Sequence, residues 1–402
     1  MLSRAMSMTA PDLSRAGGGP TGWSVRLSLF YGCFFLTAGV MMPWFPVYLD
    51  ARGLTSDQIG LLLAVGFWIK PLANPLGSRW ADLSGERRRP VVLLVICAGA
   101  AFALYSQAEH FAVFLAIALL MQAFNSPVLP LADNVTMTAA AERGIDYGRV
   151  RLWGSITFIG AAYGAGWLLE GRDADVILWL VVGGFVLTAL ASAGLPDIRF
   201  PRPEQRRRNP FALLGHPVFA IFLLATGFNS AAHAVLYGFG SLHWKSIGLS
   251  EAEIGVLWAV GVVAEIVLFA LSRRLIGRIG PLALLLIGCA SGLVRWTLTA
   301  WAETFWPLLG LQVLHAFTFG AAHLGAMHFI QRAAPDGMSA TAQGLFAAFG
   351  MGLFMGFGAI AAGQLYGVFG GQAYLAMTAL SAASTVAALI LLRRWDGRRL
   401  SL

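Results

Sequence analysis

Apolar runs long enough to cross a lipid bilayer follow one another from residue 24 to residue 392, and nothing else in the chain constrains its fold so tightly. They fall near 24–48, 57–78, 90–108, 111–135, 149–169 and 174–195, then near 217–241, 251–272, 281–301, 304–331, 340–366 and 371–392. A span needs roughly 20 apolar residues. In lipid every backbone amide must be bonded within its own segment, so an open-ended series of such runs has to be helical. Hydrophobic residues make up 57% of the 402 and charged residues only 12%. That charged share is about half the usual soluble value, too low to cover a water-exposed surface. A soluble enzyme is therefore excluded, and disorder is excluded by the same balance. The expectation is an all-α membrane protein with 12 transmembrane helices.

The basic residues orient it. Residues 1–22 carry Arg4, Asp12 and Arg15 and have no apolar core, so they read as a flexible cytoplasmic tail and not as a cleaved signal. With that tail inside, 23 of the 28 basic residues lie on one side of the membrane, and only Arg52, Arg172 and Lys245 on the other. Lys70 and Arg295 fall within spans. This asymmetry predicts both termini in the cytoplasm. The net charge of +8 then reports topology and gives no support to nucleic-acid binding. Residues 196–216, with Arg199, Arg202 and Arg206 to Arg208, read as a basic cytoplasmic linker. Twenty-six Arg against two Lys point to a GC-rich bacterial genome, and so to an inner-membrane location.

The chain also repeats itself. Gly53-Leu54-Thr55-Ser56-Asp57-Gln58-Ile59-Gly60 returns as Gly248-Leu249-Ser250-Glu251-Ala252-Glu253-Ile254-Gly255, an offset of 195. Gln122-Ala123-Phe124 matches His315-Ala316-Phe317 at an offset of 193. Two similar offsets in order imply two six-helix halves, residues 23–195 and 217–402, related by a pseudo-two-fold axis. Such halves place a substrate path at their interface near the membrane midplane.

Charges within spans are costly, so they usually face a cavity. Lys70, Asp133, Glu265 and Arg295 are the candidates. Lys70 and Glu265 differ by 195 and hold equivalent places with opposite sign. Asn229, His233 and Tyr237 share one face of span 7 by their spacing of four, and His315, Phe319 and His323 share one of span 10. A cavity-facing histidine can couple protonation to a solute. Gln122 and Asn125 lie a turn apart in span 4, and Tyr31 in span 1 can reach the same space. Pro43 and Pro46 predict a break near the outer end of span 1. A structural ion-pair network is the competing reading of the charged set. Cys33, Cys97 and Cys289 lie far apart in apolar stretches and read as buried hydrophobes. No phosphate loop, zinc-protease motif or nucleophile elbow occurs, so ATP drive and hydrolase chemistry have no residues to carry them. No cofactor is expected.

Two segments carry a family resemblance. Ser78-Arg79-Trp80-Ala81-Asp82-Leu83-Ser84-Gly85-Glu86-Arg87-Arg88, between spans 2 and 3, resembles the signature loop of the major facilitator superfamily, with Leu83 in place of a basic residue. Tyr147-Gly148-Arg149-Val150-Arg151-Leu152-Trp153-Gly154-Ser155, entering span 5, is similar to the branch holding the phenylpropionate permeases and, more distantly, lactose permease. The resemblance implies substrate-binding roles for Asp133 and Arg151, a span-8 acid at Glu265, a span-9 arginine at Arg295 and a span-10 histidine at His315. It implies a gating role for Asp82, Gly85 and Arg87. The proton-carrying carboxylate of the family member is Thr318 here, so Glu265 or a histidine would have to serve.

The expected protein is thus a secondary transporter that couples proton entry to uptake of a small organic solute. Two arginines and a lysine near the path favour an aromatic carboxylate or a polyhydroxylated, sugar- or nucleoside-like solute. Asp133, Arg151, Lys70, Arg295, Asn125, His233 and Tyr237 would bind it, and Glu265, His315 and His323 would couple it. An exporter of the same fold is the alternative. Its partners are the solute, protons and the lipid bilayer, and a single chain is expected to suffice.

Overall fold

The computed structural model describes residues 19–196, 198, 211–272 and 278–401. Most of the expected tail and basic linker, and Arg273 and Arg274, lie outside the described residues. The rest forms helices joined by short loops. α1 covers Pro20–Ala51, α2 Ser56–Ser84, α3 Arg88–Gln107, α4 Phe111–Arg143, α5 Tyr147–Leu169 and α6 Asp175–Ala193. After the linker come α7 at Pro217–Ser246, α8 at Glu251–Ala270, α9 at Pro281–Thr299 and α10 at Phe305–Ala333. The final stretch, Ser339–Arg394, runs for 56 residues and is divided at Gly370, whose φ of 56° no helix accommodates. α11 is therefore residues 339–369, and α12 is Tyr374–Arg394. Among the described residues, 11 stretches are long and apolar enough to cross a membrane. The sequence predicts 12, and the difference is that the two helices on either side of Gly370 fall within one such stretch.

The two copies of the sequence repeat fold alike, and each conserved letter has a physical reason. Gly53 and Gly248 take φ of 82° and 91°, a region open to glycine. Thr55 and Ser250 cap α2 and α8, each within a reciprocal capping box. Gln58 Oε1 accepts from the Thr55 amide at 3.0 Å, and Glu253 Oε2 from the Ser250 amide at 2.9 Å. Ile59 and Ile254 are buried. Gly60 and Gly255 then let another backbone come close. A methyl group on Gly60 would lie 2.6 Å from the Ala359 carbonyl oxygen of α11, and one on Gly255 2.8 Å from the Ala162 carbonyl oxygen of α5.

Within the first half α1 packs on α5 and α6, and within the second α9 packs on α12 and α10. The halves touch where α2 meets α11 and where α5 meets α8. Towards the end carrying Gly53 and Gly248 both contacts bring backbone against backbone: Gly166 lies on the Glu251 carbonyl and Gly363 on the Ser56 carbonyl. Several helices are broken midway. α2 turns at Ile69, ahead of Pro71, α4 at Ser126 and Pro127, and α7 at Ala232 and His233. α10 and α11 each carry a π segment, Ala316–Ala321 and Phe346–Leu353. Such segments recur at functional sites. α1 runs on through Pro43 and Pro46 to Ala51, so the expected break is absent.

Candidate functional site

Two adjoining cavities lie between the halves. The larger, about 560 Å³, is lined by Phe67, Lys70 and Asn74 of α2, by Asn229, His233 and Tyr237 of α7, by Phe319 of α10 and by Met351 and Met355 of α11. The smaller, about 240 Å³, is lined by Phe35, Arg151 and Phe158 from the first half and by Tyr237, Trp258, Glu265, Gln312, His315 and Phe319 from the second. Tyr237 and Phe319 face both. Helix breaks at Ile69, His233 and the α10 π segment sit at this level, where they turn side chains out of regular helical register.

In the first half, Asp133 is held by two tyrosines. Its Oδ1 accepts from Tyr31 at 2.5 Å and from Tyr147 at 3.2 Å. The Arg151 guanidinium lies over the Phe35 ring at 3.9 Å and 5.5 Å from the Tyr31 ring, facing the cavity that also holds Glu265. Lys70 Nζ is 4.6 Å from the Phe67 ring centroid. Among the described residues it has no hydrogen bond or ion pair, so this cation meets the cavity unneutralised. Asn125 does not join this group. It lines a separate void of about 30 Å³ inside the first half, with Thr37 and Thr188. The break at Pro127 places Asn125 and Asp133 on separate helical pieces with separate facings.

In the second half the predicted residues form one network. His315 Nε2 is 3.8 Å from Glu265 Oε2. His315 Nδ1 is 3.1 Å from Arg295 Nη1, which also donates to Thr318 Oγ1 at 2.8 Å, while Nη2 donates to Gln312 Oε1 at 2.9 Å. Arg295 is fully buried, so it presents no surface to a solute and meets the cavity only through Gln312 and His315. His233 sits 3.2 Å from Thr318 Oγ1 and 2.9 Å from the Asn229 carbonyl. The rings of His315, Phe319 and His323 stack in nearly parallel planes along α10, 5.3 and 5.9 Å apart. Tyr237 stacks on Trp258 at 6.3 Å. Away from the cavities, Arg87 bonds Asp82 at 2.5 Å, and Gly85 ends α2 with φ of 71°.

The sequence profile described as the MFS_1 like family matches residues 24–376. The chain belongs to that family. It is a major facilitator superfamily transporter, and a multi-pass membrane protein. It is 33% identical over 368 residues to the "Probable 3-phenylpropionic acid transporter" of Escherichia coli (strain K12), covering 88% of this chain and 95% of the relative. It is 27% identical to the "Maltose permease" of Geobacillus stearothermophilus, over 84% of this chain and 86% of that one. Among solved structures it resembles the nucleoside transporter NupG, with a TM-score of 0.82, 16% identity, and coverage of 93% of this chain and 100% of that one. These relatives are named transporters and permeases, so this facilitator is no enzyme, and its cargo is a small organic molecule.

Sequence reasoning passed over several residues in and around this facilitator's cavities. Tyr147 opens the span-5 motif yet signals nothing by itself; only folding brings it to Asp133. Gln312 lies one turn before His315, and that spacing could have flagged it. Trp258 and Phe35 were hidden among 13 Trp and 27 Phe.

Proposed function

We propose that this chain imports a small aromatic carboxylate together with a proton, by alternating access. Its two six-helix halves, residues 23–195 and 217–402, would span the inner membrane 12 times with both termini inside. A 56-residue helix would extend roughly 84 Å at 1.5 Å per residue, far more than the roughly 30 Å bilayer core, so a turn at Gly370 that makes two spans of it fits the membrane. In that topology the glycine contacts between the halves close the outer end, and the cavity of Lys70, Asn74 and Ser78 faces the cytoplasm.

Lys70 carries the reading. It is an unneutralised cation in an aromatic-lined cavity, and such a charge is stabilised by an anionic solute. Arg151 supplies a second positive charge from the same half. Tyr237, Trp258 and Phe319 offer ring faces to an aromatic body. Asp133, held by its tyrosines, fixes the wall beside Arg151, and His233 and Arg295 brace the opposite wall. Glu265, beside His315, is placed to exchange a proton, and His323 lies one turn further along α10. Asp82, Gly85 and Arg87 would govern the inner gate. The phenylpropionic acid relative supports the aromatic acid over the sugar- and nucleoside-like solutes.

The test is uptake of labelled arylalkanoic acids into proteoliposomes with an imposed pH gradient. Accumulation above equilibrium is expected when the outside is acid, and a rate indifferent to the gradient would overturn the coupling. Glu265→Gln should abolish accumulation and keep solute exchange. Expression in whole cells separates the directions: an importer sensitises cells to a toxic aromatic acid, whereas an exporter protects them.

A further inference from the structure

The network around Arg295 has a fixed direction. Arginine can only donate. Its Nη1, 3.1 Å from His315 Nδ1, makes that nitrogen an acceptor. The ring proton of His315 therefore sits on Nε2, the nitrogen facing Glu265 at 3.8 Å. At the far end the Asn229 carbonyl can only accept, so His233 Nδ1, 2.9 Å away, must donate to it. His233 Nε2 is then bare and accepts a hydrogen bond from the Thr318 hydroxyl across 3.2 Å. Thr318 Oγ1 is left to accept from Arg295 at 2.8 Å. One chain of donors runs from Arg295 through Thr318 and His233 to a carbonyl. A further proton on either accepting ring nitrogen would set donor against donor beside the Arg295 charge.

We propose that Thr318 and His233 are positioning residues: they hold Arg295 on His315 Nδ1, so that His315 keeps its proton on Nε2 and Glu265 alone takes up and releases the transported proton. This rests on the proton-coupled reading above. Asn229 adds a clamp, its Nδ2 donating to the Thr318 carbonyl at 2.9 Å and so fixing the π segment of α10. The other groups facing Glu265 are consistent with one carrier. Arg151 from α5 is a fixed cation, and Tyr237 from α7 is a phenol; both share the cavity with Glu265. Lys70 of α2 lies in the adjoining space. A threonine in place of a second carboxylate thus directs a proton that it does not carry. In each cycle one proton joins a Glu265 oxygen and leaves from it, with no net change at His315.

Two measurements test this on the full-length protein. Nitrogen-15 spectra of histidine-labelled transporter, assigned by His→Gln variants, should show His233 protonated at Nδ1 and His315 at Nε2. The opposite tautomer at either ring overturns the proposal. The spectra do not depend on transport, so native tautomers with uptake indifferent to a pH gradient would instead overturn the coupling reading, and Glu265's part with it. In proteoliposomes, Thr318→Val should lower gradient-driven uptake about tenfold or more. It should also change the pH profile of uptake, while solute exchange persists. Thr318→Ser should restore both. A Thr318→Val protein with native pH profile and native tautomers overturns the proposal. Should that variant fail to fold, the spectra of the native and Thr318→Ser proteins decide.

Discussion

Three cations near the cavity have three different fates, and their neighbours decide which. Arg295 is spent on Gln312, His315 and Thr318, all within its own half. Arg151 lies on aromatic rings. Lys70 lies beside the Phe67 ring and has no hydrogen bond or ion pair among the described residues. Removing an uncompensated charge orphans nothing, whereas removing a bonded one strands its partners. Lys70→Met should therefore leave thermal stability unchanged and raise the KM for an aromatic carboxylate, roughly tenfold to a hundredfold for the loss of one charge-assisted bond. Arg295→Met should instead lower stability, by about 1–3 kcal/mol for the stranded acceptors. Melting curves set beside uptake kinetics separate the two cases, and a large stability loss in Lys70→Met would contradict the picture of an unpaired cation. The sequence marks these residues because charge within an apolar run is conspicuous. It does not rank them, because the partners that consume Arg295 are uncharged side chains distant along the chain.

Among helices, legibility depended on whether the deciding interaction was local. The repeat could be read because its glycines, caps and following acids or amides act within eight residues. The Asn125 placement could not, because the break at Ser126 and Pro127 resets which face points where. The π segments of α10 and α11 have no proline to announce them, and one is fixed from another helix by Asn229. The glycines of the repeat yield a sharper expectation than their spacing did. A Cβ at Gly60 or Gly255 would stand 2.6 or 2.8 Å from a carbonyl oxygen of the other half. These are backbone atoms, so they cannot rotate away, and the halves must part at that end. Gly60→Val and Gly255→Val should each shift the population towards a form open at that end, the outward-open form in the proposed topology. Spin labels at Asp57 and Val368, both exposed at that end, should report a longer distance, and uptake should fall. An unchanged distance distribution in both variants would mean that these contacts do not hold that end shut.

For the whole molecule the consequence of the proposed site is that a bound solute would join two bodies. Arg151 and Lys70 belong to one half, while Tyr237, Trp258 and Glu265 belong to the other. A molecule touching both sets stabilises the folded assembly by its binding free energy, about 2.7 kcal/mol at a hundred times its Kd. The carboxylate and the ring should both be needed, since both cations come from one half while Tyr237, Trp258 and Phe319 come from the other. An arylalkanoic acid should therefore raise the melting temperature of the purified protein. Its amide, which keeps the ring and loses the charge, should not, and neither should a short aliphatic acid, which keeps the charge and loses the ring. Lys70→Met should abolish the shift with the acid while melting unaided at the native temperature. Sugars and nucleosides serve as controls, because one similar sequence is named a maltose permease and one similar structure a nucleoside transporter. Protection by a nucleoside with none by the acid would transfer the cargo to that class, and Lys70 would then be a cation without an anion to meet.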